Sequence, residues 1–172
     1  MEVRTGTLKA ASPGQLTGYA AVFNSEARLG DFAEIVRRGA FADLSRNIKA
    51  LYHHDSRALL GSTAAGTLKV QEDDHGLRFD LRLPDTSHGR DLAVLVERGD
   101  VAGCSFGFVV PEGGDRWEER NGGEWLRELL KVDLHEITLT ADPAYPDTTV
   151  AKRSRPQIIT LSTHALWLQT CA

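Results

Sequence analysis

The stretch GLRFDLRLP (76–84) decides the fold. Its apolar residues Leu77, Phe79, Leu81 and Leu83 alternate with Arg78, Asp80 and Arg82, so an extended chain buries one row and wets the other. Upstream, GTLKVQ (66–71) reads as a second extended segment, and the intervening EDDHG (72–76) is rich in turn formers. The two segments predict a hairpin. TGYAAVF (17–23) and NIKALYHH (47–54) read as further strands. At DTSHGRDLAVLVERGD (85–100) the period changes: Leu92, Leu95 and Val96 follow helical spacing, with Asp85 or Thr86 as cap and Gly99 as stop. Strand character returns in VAGCSFGFVV (101–110) and LLKVDLHEITLT (129–140), the latter closed by the two prolines of ADPAYPD (141–147). Between them, RWEERNGGEWLREL (116–129) carries Asn121-Gly122 between Trp-bearing flanks, a hairpin signal.

The expected architecture is a β-dominated α+β domain, a small closed or nearly closed β-barrel with a few flanking helices. It spans residues 1–150, and from Ala151 the basic KRSRPQ and an unpatterned apolar run mark a C-terminal tail to residue 172. With 172 residues, 41% hydrophobic and 26% charged, the chain is long enough for one real core and ordinary for a soluble domain. A net charge of -4 argues against nucleic acid as the main partner. Cys104 and Cys171 are too few and too differently placed for a disulfide framework. The N-terminus lacks a basic segment followed by an apolar one, and no apolar run is long enough to span a bilayer, so a cytoplasmic protein is expected.

Three segments carry candidate chemistry. GCSFGF (103–108) matches G-x-S-x-G around Ser105, but strand and turn follow it where a hydrolase elbow needs a helix. What remains is a serine whose glycine neighbours let a substrate backbone lie close, or simply a small serine in a packed strand. YHHDS (52–56) holds His53, His54 and Asp55. If that stretch is extended, His53 and Asp55 share a face and His54 points away, so Asp55 is a poor partner for His54. A metal reading of the run lacks a second pair of ligands at the usual spacing. In KVDLHEITLT (131–140), Val132, Leu134, Glu136 and Thr138 share one face of an extended chain, with Asp133, His135, Ile137 and Leu139 on the other. Glu136 interrupts an apolar row, where a carboxylate needs a partner such as an imidazole, or else sits at a rim.

Taken together, GYAAVFNS with FAEIVRRGAF, YHHDSRALLG, LPDTSHGRDLAVLVERGDVAGCSFGF and VDLHEITLTADPAYPDT resemble, in order, the prohead (capsid maturation) serine proteases of tailed bacteriophages. The resemblance covers roughly residues 18–149 and implies a fold similar to the herpesvirus assembly proteases. It implies cleavage of scaffolding segments, the major capsid protein and often the protease itself, inside the immature capsid in the host cytoplasm, with self-association or capsid attachment, no membrane partner and no cofactor. Carried onto this chain, Ser105 is the nucleophile and His54 the general base. Glu136 is the third member, with His135 as its rival. The chain departs from the family in having His53 before His54 and Cys104 before the serine. Two other classes remain: a catalytically silent assembly protein of the same fold, and a metal-dependent hydrolase using His53, His54 and Asp55.

Overall fold

Alternation of apolar and polar residues builds most of the molecule from strands, and the computed structural model describes residues 9–12 and 14–141. The strands are β1 (Lys9–Ser12), β2 (Gln15–Val22), β3 (Glu26–Leu29), β4 (Phe32–Val36), β5 (Lys49–Tyr52), β6 (Asp55–Ser62), β7 (Leu68–Glu72) and β8 (Gly76–Arg82). One helix, α1 (Ser87–Arg98), precedes β9 (Gly103–Val109), β10 (Asp115–Glu119), β11 (Trp125–Leu129) and β12 (Asp133–Thr140). They form three four-stranded sheets, ordered β1-β2-β8-β7, β10-β11-β4-β3 and β6-β5-β12-β9. The β-rich α+β expectation holds. Among the described residues, however, each sheet keeps two free edges, so no closed barrel forms, and one helix stands where several were expected. That helix is too short to cross a membrane. The expected domain end at residue 150 and the tail beyond it lie outside the described residues.

The 76–84 pattern is realised as read: Leu77, Phe79 and Leu81 are buried, and β8 pairs antiparallel with β7. Helix α1 starts where Thr86 Oγ1 accepts from the Gly89 amide and stops at Gly99, whose φ of 83° suits a residue without Cβ. The Asn-Gly hairpin also forms, joining β10 to β11. Its loop is longer than a two-residue turn: the Arg120 amide donates to the Glu124 carbonyl, and positive φ falls on Gly122 and Gly123. Strand β4 lies parallel to β11, a long-range pairing that local alternation cannot announce. Buried charges tie that sheet. Arg127 bonds Asp115 at 2.8 Å and Glu34 at 3.2 Å, and Glu128 accepts from Arg37 at 2.7 Å and from Arg116 at 2.6 Å.

Two features position the third sheet. The Glu72 carboxylate accepts from the amides of Gly39 (2.7 Å) and Phe41 (3.0 Å), which seats Phe41 in the core. The Phe41 ring meets Phe106 edge-on at 5.5 Å, pinning β9 with Cys104 and Phe106 inward and Ser105 outward. In β12, Ile137 and Leu139 join the same core.

Candidate active site

The sheet β6-β5-β12-β9 presents its outer face to the candidate chemistry. On β12, Glu136, Thr138 and Thr140 alternate with the core residues Ile137 and Leu139, and so form a polar row on that face. On β9, Ser105 stands opposite Thr138 and Gly107 opposite Glu136. On the other side of β12, Leu51 of the parallel strand β5 stands beside Thr138.

His54 reaches this row from a turn, which corrects the expectation of a strand over 47–54. Strand β5 ends at Tyr52, which pairs with Asp55, leaving His53 and His54 as a two-residue hairpin loop. Their φ values are 51° and 57°, the left-handed pattern that such tight loops require and that Asn and Gly normally supply. Alternation therefore does not apply to this stretch, and the two side chains take separate partners. His53 Nδ1 lies 3.0 Å from Thr140 Oγ1, and its amide donates to the Leu139 carbonyl at 3.1 Å. His54 Nδ1 lies 2.6 Å from Glu136 Oε1. Asp55 turns instead to Arg57, whose hydrogen bonds at 3.0 Å hold the carboxyl below its usual range. Strained backbone at two adjacent histidines is a feature that functional sites tend to keep.

The expected face of β12 also needs correction. A β-bulge between Leu134 and Glu136 shifts the register, so Leu134 packs in the core while Glu136 shares the outer face with Thr138. His135, the rival third member, sits at that bulge and is exposed to solvent. The bulge thus aims the carboxylate and sends the neighbouring imidazole away. The Glu136 side chain is 18% exposed and lies across Gly107: a Cβ there would stand 2.7 Å from Glu136 Cγ and 2.9 Å from Oε1. The second glycine of the G-x-S-x-G stretch therefore makes room for a carboxylate, where the sequence alone suggests room for a substrate backbone.

Geometry along the strand then locates the imidazole. His54 leaves the loop beyond Tyr52, which is level with Leu139, whereas Glu136 starts three residues earlier on β12, about 10 Å away at about 3.3 Å per residue. For their tips to meet, the two side chains must converge over Thr138, beside its register partner Ser105. Thr138 is fully buried. His54 and Glu136 are thus joined directly. Ser105, half-buried, is brought to the same face with no hydrogen bond to His54 among the described residues. Cys104, next in sequence, faces the core, and burial pushes its thiol up to about 12. Among the described residues no three His, Cys, Asp or Glu side chains cluster as metal ligands.

An imidazole held at Nδ1 by a carboxylate keeps its other nitrogen free to exchange a proton, and a serine on the adjoining strand is suited to supply one. No curated protein and no solved structure matches the chain significantly. The family model of the caudovirus prohead serine protease matches residues 1–160, the four resembling segments included. The chain belongs to that family, whose members are serine peptidases of capsid maturation acting on phage capsid proteins inside the immature capsid in the host cytoplasm.

Proposed function

We propose that this chain is a serine endopeptidase that cuts the scaffolding segment and the major capsid protein of its phage, and itself, by acyl transfer. Ser105 Oγ attacks the scissile carbonyl while His54 Nε2 takes its proton. Glu136 holds His54 through Nδ1 and stabilises the imidazolium that forms. The observation that carries this reading is the 2.6 Å contact between His54 and Glu136 on the face that bears Ser105. Assignment of Glu136 over His135 as third member rests on the same contact. The substrate is read as an added strand, because β9 has a backbone-paired neighbour on one side only. No cofactor or metal enters the scheme.

The proposal extends to architecture. Residues 1–150 form the protease domain, which self-associates or binds the capsid, and 151–172 are a removable tail. A fold akin to the herpesvirus assembly proteases belongs to the same proposal and rests on the family membership.

Intact-mass spectrometry of the shell protein, co-expressed with the wild type and separately with Ser105→Ala, tests the function. A shell or scaffold polypeptide shortened by the wild type alone is expected. Equal masses in both samples, with particles still forming, would assign the chain to a silent scaffold role.

A further inference from the structure

Thr138 is the one buried side chain among the described residues whose oxygen has no hydrogen-bond partner. It is 0% exposed, so water does not satisfy its hydroxyl from outside. A buried, unpaired hydroxyl costs stability that an isosteric valine would avoid, and valine also suits a β-strand. Packing alone therefore gives no reason for a threonine here.

Position supplies one. Thr138 stands directly opposite Ser105 in the antiparallel β9–β12 ladder, where facing Cβ atoms lie about 4.5–5.5 Å apart. It is also the middle member of the row whose outer members already hold the two loop histidines: Glu136 bonds His54 and Thr140 bonds His53. Both neighbours in the row thus use their polar atoms to orient a side chain of the site, and only the middle hydroxyl is uncommitted.

Resting on the proposed role of Ser105, we infer that Thr138 is a positioning residue for the nucleophile. When Ser105 turns its proton toward His54 Nε2, the Thr138 hydroxyl donates to Ser105 Oγ. That bond selects the attacking rotamer and steadies the negative charge on Oγ as its proton passes to the imidazole. Ser105 then donates one hydrogen bond and accepts one, Thr138 donates one, and no proton leaves Thr138.

The test compares Thr138→Val and Thr138→Ser with wild type and Ser105→Ala in the full chain. It measures the second-order rate of labelling by a fluorophosphonate, which reads the serine without a peptide substrate, and the melting temperature. Thr138→Val is expected to melt at or above wild type and to label at least about 10-fold more slowly, since a tenfold change matches the loss of one hydrogen bond. Thr138→Ser is expected to label within about threefold of wild type, because a hydroxyl returns. Wild-type labelling in Thr138→Val overturns the inference. So does equal impairment of the Val and Ser variants, or a fall in melting temperature that parallels the loss, because either assigns Thr138 to packing. Labelling that persists in Ser105→Ala would instead sink the serine reading itself, a separate failure.

Discussion

Replacing Gly107 by alanine tests how the site is assembled. A methyl at this position would stand 2.7 Å from Glu136 Cγ, 2.9 Å from Oε1 and 3.2 Å from Cδ, closer than unbonded heavy atoms tolerate. The backbone of Gly107 is not left-handed, so alanine itself fits, and a lower unfolded-state entropy offsets part of any cost. Glu136 is the side of the contact that can move, being a flexible side chain with solvent beside it. Moving it separates the carboxylate from His54 and forfeits a charge-assisted bond of 2.6 Å. Such bonds contribute about 1.5–3 kcal/mol, so kcat against a capsid-derived peptide should fall about 10- to 150-fold. The decisive measurement is a double-mutant cycle with Glu136→Ala, the side chain cut back to a methyl. With the carboxylate gone, Gly107→Ala should cost almost nothing more. If the two losses simply multiply, and if Gly107→Ala raises KM in both backgrounds, the glycine makes room for substrate instead and the structural argument fails.

The left-handed loop makes His54→Gly and His54→Ala informative as a pair: both should lose activity, yet the glycine variant should be more stable by about 1 kcal/mol, or about 2–4 °C in melting temperature. An alanine variant as stable as the glycine one would show that the loop is not strained. Alkylation of the native protein followed by peptide mapping should leave Cys104 unmodified, since its thiol is fully buried and pushed up to about 12; rapid modification would place it at the surface. Glu128, held below its ordinary value of 4.5 chiefly by the hydrogen bond from Arg37, is a depressed carboxyl. Its stabilising effect is complete above that ordinary value and is lost as pH falls through the depressed one. Denaturant titrations of Glu128→Gln should therefore show lower stability at pH 7 and a shallower acid limb below about pH 4.5, and an acid limb parallel to wild type would contradict the assignment.

Much of this protein is legible in one dimension because strand burial has a period of two and helix ends use local chemistry. GLRFDLRLP, the Thr86 cap and the Gly99 stop needed no partner to be read, since each signal lies within a few residues of the structure it specifies. The candidate site residues His54, Ser105 and Glu136 were nameable from motif order, which preserves chemistry without its geometry. Tertiary structure decided what joins His54 to Glu136. Period-two reasoning fails wherever the chain leaves the regular strand, and it failed at the two-histidine loop and at the bulge before Glu136, the two irregularities that bring His54 and Glu136 together. The parallel pairing of β4 with β11 and the placing of β12 between β5 and β9 depend on contacts far apart in sequence. Gly107 yielding space to a carboxylate, and Thr138 buried without a partner opposite Ser105, are relations between strands. A single strand's sequence encodes which way its side chains alternate, but the neighbours they meet are set only when the sheet assembles.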